Sequence, residues 1–453
     1  MRSYDVIVVG KGSSRYVIAK AAHKYNDVAV IDDPPIGGTC MNFGCLPTKS
    51  LIYPADRIRD IYQSQKLNID AEVLATNFSD HLEEVRKDRE KKRQQQKSFL
   101  TRNSNIYYFP GKGHFIDKET LKVNGKKLKG EKIFLANGTR PLIPPIKGLE
   151  NIDYLTNRSI LELKQKPESM IIIGGGYIAL EYAHLLSAYG IDITIIEMMN
   201  QLLPSMEPEI SKKIEEEVQN FADLHLGTTA SEVIQNGEIE VKIENNIQQR
   251  SIQAESLFIA TGRKSNADTL NLEKTDIETD ADGFIKVNKY LETNQENVWA
   301  WGDVIGKEMF KHTANQEARI AWYNATNLEK KEMQYHASPK VVFTHPEIGS
   351  VGLTEAEAQQ NHSILIGKAK FEGVEKGSIM KDYSGLVKAV VNKSDRRLLG
   401  FHVIGPHASI LLQEAAVVIA NRETVDFIIN STHTFPSLSE IVLKPLLHLK
   451  EPK

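Results

Sequence analysis

Cys40 and Cys45 are the residues whose type and spacing most directly suggest chemistry. They are the only two cysteines in 453 residues, and four residues separate them. A structural disulfide is a poor explanation, because a cross-link stabilises by closing a loop and so short a loop gains least. Two cysteines placed together are better interpreted as a dithiol that switches between reduced and oxidised forms. On this stretch alone, two buried and inert thiols remain an equally good interpretation.

The backbone between the two sulfurs cannot be a regular helix if they are to form a disulfide. Residues five apart on a helix have Cα atoms roughly 8–9 Å apart, whereas a disulfide requires less than about 7 Å. We therefore expect the chain to leave helical geometry between the cysteines, which Gly44 would permit.

The elements that must position the dithiol begin with a strand, a glycine turn and a helix. Residues 4–9 form a short apolar run that ends at Gly10-Lys11-Gly12-Ser13-Ser14-Arg15, and a second strand pattern ends at Asp32. Glycines for the turn, backbone amides for a pyrophosphate and an acid for a ribose hydroxyl form a dinucleotide-binding fingerprint. Arg15 stands where a small residue usually allows close helix packing, so an ordinary strand–turn–helix remains an alternative.

A second fingerprint follows, without that flaw. Residues 170–173 lead into Gly174-Gly175-Gly176-Tyr177-Ile178, and the next strand pattern ends at Glu197. Glu197 would accept hydrogen bonds from ribose hydroxyls and repel a 2′-phosphate, and no arginine follows within residues 198–200, so the sequence favours NAD over NADP. Two fingerprints, each with its acid, are much stronger evidence for dinucleotide binding than one.

The composition argues against nucleic-acid and membrane partners. A net charge of −3 gives no electrostatic case for either, and no apolar run approaches membrane-spanning length. Residues 80–100 form a long helical stretch of mixed charge, which we expect to be a solvated surface helix. A strand pattern that starts by Tyr4 leaves no room for a signal peptide. We therefore expect a cytoplasmic protein, and a switching dithiol suits a reducing compartment.

Taken together, these motifs resemble the flavoprotein disulfide reductases, the pyridine-nucleotide-disulfide oxidoreductases related to dihydrolipoamide dehydrogenase. The most specific element is the Gly-Gly-Thr-Cys-x4-Cys-x-Pro-Thr-Lys stretch of residues 37–49, which lies between the fingerprints. The serine after Gly12 and residues 311–319 are most similar to the mycothione reductase branch. The resemblance covers nearly the whole chain.

The resemblance implies an α/β fold with two Rossmann-like dinucleotide-binding domains and a C-terminal α+β dimerisation domain. We expect residues 1–145 and 266–335 to form a discontinuous FAD-binding domain and residues 146–265 to form the NAD-binding domain. Residues 336–453 would form the dimerisation domain, which implies a homodimer.

The resemblance also assigns roles to individual residues. Cys45 would sit against the flavin and Cys40 would face the substrate, while Asp303 would contact the ribityl chain of FAD. Lys49 would lie near the flavin and pair with Glu181. The cofactor-binding candidates for FAD and NAD(H) that it implies are Gly10, Gly12, Ser13, Asp32, Gly38, Thr39, Lys49, Gly138, Gly174, Gly176, Tyr177, Ile178, Glu197, Gly262, Arg263, Gly302, Asp303 and Ala314.

The C-terminal segment departs from the pattern of the family. Most relatives carry a His-Pro pair, with a glutamate five residues after the histidine, and that histidine acts as acid and base in the active site of the partner. Aligned on Pro436 and Glu440, this chain has Phe435 at the catalytic position and His433 two residues earlier. On an extended strand, His433 would face the same side but lie roughly 7 Å away. His433 and Glu440 stay candidate catalytic residues, with an ordinary interface histidine as the alternative.

The phenylalanine at the position of the catalytic histidine limits which electron acceptor the protein could reduce efficiently. Acid–base assistance is typically worth ~10²–10⁴-fold in rate, and acceptors whose leaving thiol has a low pKa lose least without it. The departure therefore argues against an efficient dihydrolipoamide dehydrogenase. Mercuric reductases also lack the histidine, but they usually carry a C-terminal cysteine pair, which this sequence does not have.

We predict a FAD-dependent pyridine nucleotide-disulfide oxidoreductase. Electrons would pass from NADH through FAD to the Cys40–Cys45 disulfide, and the Cys40 thiolate would attack a small-molecule disulfide or other electrophilic acceptor. Three alternatives remain open: a dihydrolipoamide dehydrogenase that recruits His433, a reductase of small oxidants such as hypothiocyanite, of quinones or of metal ions, and a non-catalytic flavin redox sensor.

Overall fold

A computed structural model describes residues 1–381 and 384–452. Its strands are β1 (Arg2–Val9), β2 (Val28–Asp32), β3 (Ile106–Pro110), β4 (His114–Phe115), β5 (Thr120–Val123), β6 (Lys126–Leu135), β7 (Thr139–Pro141), β8 (Ser169–Ile173), β9 (Asp192–Ile196), β10 (Ala222–His225), β11 (Thr229–Asn236), β12 (Glu238–Glu244), β13 (Gln249–Ala254), β14 (Ser256–Ile259), β15 (Arg263–Ser265), β16 (Val298–Ala300), β17 (Lys340–Val342), β18 (Glu347–Gly352), β19 (Ile364–Lys370), β20 (Leu386–Asn392) and β21 (Leu398–Gly405).

The helices lie between and around these strands. They are α1 (Arg15–Lys24), α2 (Gly38–Asn42), α3 (Cys45–Tyr62), α4 (Phe78–Thr101), α5 (Tyr177–Ala188), α6 (Pro208–Val218), α7 (Lys311–Thr326), α8 (Glu355–Gln359), α9 (Glu375–Met380), α10 (Ala408–Ala420), α11 (Asp426–Ile429) and α12 (Glu440–Leu443). None of the helices in the described ranges is long and apolar enough to cross a membrane.

The first of two compact units, unit 1, comprises Met1–Thr48, Asp80–Leu142 and Gly262–Gln334. Its main sheet has the strand order β3-β2-β1-β6-β5-β4, with β16 also paired to β6. Strand β1 is parallel to both β2 and β6. Its apolar residues are buried because a parallel strand inside a sheet is covered on both faces. The strand ends directly before the first glycine turn, which therefore lies at the carboxyl edge of the sheet.

The second compact unit, unit 2, comprises Lys49–Ser79, Ile143–Thr261 and the described part of residues 335–453. It contains a parallel sheet with the order β10-β9-β8-β14 and an antiparallel sheet with the order β11-β12-β13. A further antiparallel sheet, β17-β18-β21-β20-β19, carries α10 on one face, and a continuous apolar core fills the space between them. The second glycine turn follows β8, at the carboxyl edge of the parallel sheet.

The predicted α/β class, with parallel sheets behind both fingerprints and a C-terminal α+β region, is confirmed. The three domain boundaries, at residues 145/146, 265/266 and 335/336, stay predictions. The helix predicted over residues 80–100 is present as α4, but it is not simply a solvated surface helix, because Arg89 on this helix is buried.

Candidate active site

The cysteine segment consists of one short helix and the start of a longer one. Helix α2 contains Cys40 and ends before Phe43, and helix α3 begins at Cys45. The chain thus leaves helical geometry between the cysteines, as the spacing predicts. Gly44 does not adopt a left-handed conformation; instead, a Cβ there would lie 3.3 Å from the Thr39 carbonyl oxygen. The glycine therefore favours the close approach of the start of α3 to α2, since a side chain there would press on the Thr39 carbonyl. Both cysteines are half-buried thiols.

Asn42 fixes the shape of this segment. Its buried side-chain amide donates to the carbonyl oxygens of Ile36 (3.0 Å) and Gly38 (2.9 Å). Its side-chain oxygen accepts from Arg93 Nε (2.7 Å), and its backbone oxygen accepts from Arg89 Nη1 (3.0 Å). The expectation that this charged helix is only solvated was wrong. These arginines were missed because charge patterning along one helix carries no information about a contact with a segment some fifty residues away in sequence.

The first glycine turn touches the cysteine segment directly. Gly38, the first residue of α2, has φ +71°, and a Cβ there would lie 2.5 Å from the Cα of Gly12. Any side chain at Gly38 would therefore collide with backbone and be strained as well. The contact holds the cysteines next to the turn that the sequence identifies as a dinucleotide site.

Asp32 closes the same turn from the end of β2. Its carboxylate accepts from the backbone amides of Lys11 (2.8 Å) and Gly37 (3.1 Å). Burial raises the pKa of Asp32 to about 6, although the two amides and the charge of Lys11 act in the opposite direction. The acid thus connects the turn to the segment that precedes the cysteines.

Arg15 does not disturb the turn, contrary to the concern that its position raises. It is the first residue of α1 and is exposed, with its guanidinium 5.2 Å from the centre of the Phe99 ring. The close-packed small residue is Ser14, which is fully buried and donates from Oγ to the Gly10 carbonyl oxygen (2.6 Å). The helix therefore packs closely on the strand one residue earlier than the fingerprint predicts.

Asp303 is held by a short polar network in unit 1. It accepts from Thr139 Oγ1 (3.0 Å), which itself accepts from Arg263 Nε (2.6 Å). The amide of Gly302 donates to Glu317 Oε2 (2.7 Å) on α7, and a Cβ on Gly302 would lie 3.5 Å from that of Ala314. These contacts bring the predicted residues Gly302, Asp303, Arg263 and Ala314 together.

The donor set of unit 1 fits FAD. Gly10 has φ +97°, and a Cβ there would lie 2.2 Å from the Ala136 carbonyl oxygen, so only glycine fits at this position of the turn. Gly138 has φ +67° with open space where a Cβ would be. Among the described residues, the buried Asn137 Oδ1 and Trp301 Nε1 have no hydrogen-bond partner. The glycine turn, the open space at Gly138, the buried Asp32 and the unsatisfied polar atoms together suit a polar dinucleotide.

The second glycine turn, in unit 2, fits a pyridine nucleotide. Gly174 has φ +117°, and a Cβ there would lie 2.4 Å from the Ala260 carbonyl oxygen. The Glu197 carboxylate accepts from the amides of Gly175 (2.5 Å) and Met199 (2.7 Å). Gly176 has open space around it, and α5 begins at Tyr177. The acid is held by backbone alone, so it keeps a fixed position beside the turn.

The predicted pair of Lys49 and Glu181 is formed. Lys49 lies one turn after Cys45 on α3, and its Nζ is 2.6 Å from Glu181 Oε2 on α5. The other oxygen of Glu181 accepts from the amide of Phe343 (3.1 Å), and the ammonium lies 4.7 Å from the centre of the Phe343 ring. Glu181 is buried. The Glu181 carboxylate and the Phe343 ring together hold the Lys49 side chain in one orientation.

His433 does not have the carboxylate partner that the family pattern suggests. Its Nε2 is 3.0 Å from Glu414 Oε1 on α10, and its Nδ1 is 3.1 Å from the Ser431 carbonyl oxygen. Glu440 instead accepts from the amide of Ser437 (3.2 Å). Phe435 is 69% exposed. His433 therefore pairs with Glu414, while Glu440 accepts from the Ser437 amide.

The candidate residues divide between the two units. Unit 1 holds Gly10, Gly12, Ser13, Asp32, Gly38, Thr39, Cys40, Cys45, Gly138, Gly262, Arg263, Gly302, Asp303 and Ala314. Unit 2 holds Lys49, Gly174, Gly176, Tyr177, Ile178, Glu181, Glu197, His433 and Glu440.

Comparison with known families identifies both parts of the chain. The family profile described as pyridine nucleotide-disulphide oxidoreductase matches residues 4–318, and the profile of its dimerisation domain matches residues 338–445. The chain is a pyridine nucleotide-disulphide oxidoreductase. Members of this family are flavoprotein enzymes that use FAD and NAD(P)H, so the resemblance based on the fingerprints and the dithiol is confirmed.

Individual relatives differ in the acceptor that their names state. Mercuric reductase of Staphylococcus aureus is 30% identical over 96% of this chain and 81% of that protein. Dihydrolipoyl dehydrogenase of Synechocystis sp. is 31% identical over 97% of both chains. The HOCl-induced flavoprotein disulfide reductase RclA of Escherichia coli has a similar structure, with a TM-score of 0.86, 25% identity and coverage of 97% of this chain and 98% of that chain.

Proposed function

We propose that this oxidoreductase passes electrons from NADH through FAD to Cys40 and Cys45, and from Cys40 to a thiol-reactive small-molecule acceptor. The close approach of Gly12 and Gly38 carries the proposal, because it puts the dithiol directly against the turn proposed for FAD. When bound, FAD supplies the two-electron link between the pyridine nucleotide and the dithiol. A location in the cytoplasm is part of the proposal, because a switching dithiol suits a reducing compartment.

NADH is the proposed electron donor. The Glu197 carboxylate has a fixed position after β9 and would accept from ribose hydroxyls, whereas a 2′-phosphate there would meet a negative charge. The residues that follow, Met198 and Met199, offer no cation to bind such a phosphate.

The proposed chemistry at the dithiol is two successive thiol–disulfide exchanges. The Cys40 thiolate attacks one sulfur of a disulfide acceptor, the first thiolate leaves, and a mixed disulfide forms. The Cys45 thiolate then attacks the Cys40 sulfur, which releases the second thiolate and leaves a Cys40–Cys45 disulfide. The acceptor gains two electrons, and the dithiol is oxidised by the same two. Lys49 lies one turn after Cys45, and its ammonium group is a positive charge that is kept in place by an ion pair with Glu181.

The absence of an acid–base side chain at position 435 restricts which electron acceptors can be reduced efficiently. An exposed phenylalanine cannot protonate a departing thiolate, so acceptors with a stable leaving group are favoured. A divalent metal ion is a second candidate acceptor, because it has no leaving group to protonate. A Cu(II) complex of RclA (25% identity, TM-score 0.87, covering 99% of both chains) supports this candidate. The relatives named mercuric reductase support it less, because this chain lacks the C-terminal cysteine pair that such enzymes usually carry.

A homodimer is also proposed. The chain carries the family's dimerisation domain, and large apolar side chains are exposed on and near α10. These are Ile410, Val417, Phe427 and Phe435. A second copy of the chain would remove them from water.

The decisive experiment compares Cys40→Ser with Cys45→Ser in the purified flavoprotein. NADH oxidation is followed with lipoamide, low-molecular-weight disulfides, hypothiocyanite, quinones, Hg²⁺ and Cu²⁺. We expect at least one acceptor to be reduced rapidly by the wild type, and Cys40→Ser to abolish that reduction while NADH still bleaches the flavin. Persistence of all acceptor activities in Cys40→Ser would disprove the dithiol mechanism, and slow reoxidation by every acceptor would favour a redox sensor.

Dihydrolipoamide oxidation tests the remaining alternative. If His433 serves as base with Glu414 as its partner, NAD reduction by dihydrolipoamide should be fast and should fall ~10²-fold or more in His433→Ala. Our proposal expects a slow reaction in the wild type and little further change in the variant.

A further inference from the structure

A cavity of about 340 Å³ lies between helices α1 and α7 of unit 1. Tyr16 and Lys20 line it from α1, and Arg319, Trp322 and Tyr323 line it from α7. These residues are not among those assigned above to FAD, to NAD(H) or to the dithiol. The volume lies at the lower end of the range of small-molecule sites, which is about 300–1,000 Å³. The cavity is therefore large enough for a ligand other than the two dinucleotides.

Three cations of the cavity lie near its aromatic rings. Lys20 Nζ and Arg319 Cζ are each 5.8 Å from the centre of the Tyr16 ring. Lys331, in the loop after α7, also lines the cavity, and its Nζ is 4.1 Å from the centre of the Tyr323 ring. Within the described ranges, no acidic side chain lines the cavity and none of the three cations has a carboxylate partner. The cavity thus carries positive charge that only a bound anion would neutralise.

The loop that carries Lys331 is fixed to α7 by a buried asparagine. Asn324 is 1% exposed; its Oδ1 accepts from the Lys331 amide (2.7 Å), and its Nδ2 donates to the Lys331 carbonyl oxygen (2.8 Å). The preceding residue, Lys330, forms an ion pair with Glu292 instead (3.0 Å). Of two adjacent lysines, the one that lines the cavity is therefore the one without an acid. Because its backbone is already ordered, a ligand would lose little free energy in fixing it.

The apolar part of the cavity is also ordered. Trp322 is buried and meets the Tyr25 ring edge-on, with 6.2 Å between the ring centres. Tyr16 is 37% exposed, so its ring remains accessible to a ligand. Aromatic rings of this kind stack with planar ligands such as nucleotide bases.

We propose that this cavity binds a small organic phosphate with a planar ring, of the size of a nucleoside monophosphate. Lys20, Arg319 and Lys331 bind the phosphate, because a dianion is matched by cations that have no carboxylate of their own, and a guanidinium can bind two phosphate oxygens at once. The planar ring stacks on Tyr16. The site takes no part in the proposed electron transfer, so it does not depend on that proposal.

The test is the binding of radiolabelled AMP to the FAD-loaded protein, measured by equilibrium dialysis with an excess of NAD to occupy the second glycine turn. We expect about one AMP to remain bound per chain. Lys331→Gln and Arg319→Gln should each raise the Kd about 10-fold, because each removes a charge-assisted contact with the phosphate. Lys330→Gln is the matched control, since this lysine is paired with Glu292 and does not line the cavity, and it should leave the Kd unchanged.

Adenosine and inorganic phosphate test the two parts of the ligand separately. Each should compete with labelled AMP at least 10-fold more weakly than unlabelled AMP does, and phosphate that competes equally well would overturn the role of the ring. Displacement of all AMP by NAD, or equal affinities in Lys331→Gln and Lys330→Gln, would overturn the site. If Lys331→Gln melts at a lower temperature, Lys331→Arg decides, because it keeps the charge and must keep the affinity. Dialysis needs no turnover, so its result is independent of the acceptor experiment with Cys40→Ser.

Discussion

The two glycine turns share the Gly-x-Gly pattern and a following acid, but the acid has different surroundings in each. At the first turn, Asp32 is only 6% exposed and is bound by the amides of Lys11 and Gly37, which belong to different segments. At the second, Glu197 is half-buried and is bound by amides of its own turn and of the residues just after it.

The last glycine of the first turn is also more closely surrounded by other protein atoms than the last glycine of the second. Gly12 meets the backbone of Gly38, whereas Gly176 has no atom near the position of a Cβ. The first turn is therefore closed by other parts of unit 1, and the second is open on one side. A closed turn suits a group that stays bound, and an open one suits a group that must exchange in each cycle. The same motif is adapted to either task by what packs around it.

We expect the largest effect on stability when a side chain is placed at Gly38, where the first turn is closed by the cysteine segment. Gly38→Ala should lower the free energy of unfolding by ~3 kcal/mol, because the left-handed backbone costs ~1–2 kcal/mol and overpacking against Gly12 adds ~1–3 kcal/mol. Urea unfolding of the apoprotein followed by tryptophan fluorescence measures it. Gly176→Ala is the matched control, with φ −88° and open space, and should change stability by less than ~0.5 kcal/mol. Equal destabilisation by both would remove the contrast.

The preference for NADH over NADPH should depend on Glu197, the acid of the second turn, and not on Asp32, the acid of the first. Glu197→Ser removes the charge that repels a 2′-phosphate, and we expect the ratio of kcat/KM for NADPH over NADH to rise about 10-fold or more, or ~1.4 kcal/mol. Flavin content should remain that of the wild type. Steady-state kinetics with both nucleotides decide the point, and an unchanged ratio would show that Glu197 does not set this preference.

The buried acid predicts a pH dependence for the closed turn. The pKa of Asp32 is raised to about 6, so its carboxyl becomes protonated as the pH falls through 6 and would then no longer accept from both hydroxyls of the FAD ribose that we propose it binds. We expect the affinity of the apoprotein for FAD to fall by up to ~10-fold per pH unit below pH 6. Fluorescence titration with FAD measures it, and Asp32→Asn should bind weakly with this dependence lost. A pH-independent affinity in the wild type would contradict the assignment.

The smallest effect concerns the third position of the first fingerprint. Ser14→Ala removes a buried hydrogen bond to Gly10 and should cost ~1 kcal/mol of stability. Arg15→Ala should change it by less than ~0.5 kcal/mol, because the side chain is exposed. Thermal unfolding of both variants checks the order, and the reverse order would mean that residue 15 is the packing position after all.

The sequence by itself was sufficient for the features that depend on neighbouring residues. Both turns, their acids and the break between the cysteines followed from motifs and spacing, whereas the pairing of Lys49 with Glu181, 132 residues apart in sequence, was implied only by the resemblance to the family. Glycine positions and the alternation of strand and helix are local properties, and local properties can be predicted from a single chain.

Only the tertiary structure decided which distant segments meet. The contact of Gly12 with Gly38, the arginines of α4 on Asn42 and the choice of Glu414 over Glu440 by His433 each join residues that no local pattern relates. Ser14 could not be identified as the packing residue from sequence, because a shift of one residue at a helix start depends on what the helix packs against. The physical reason is common to all of them: a contact across the fold is selected by the packing of the whole unit.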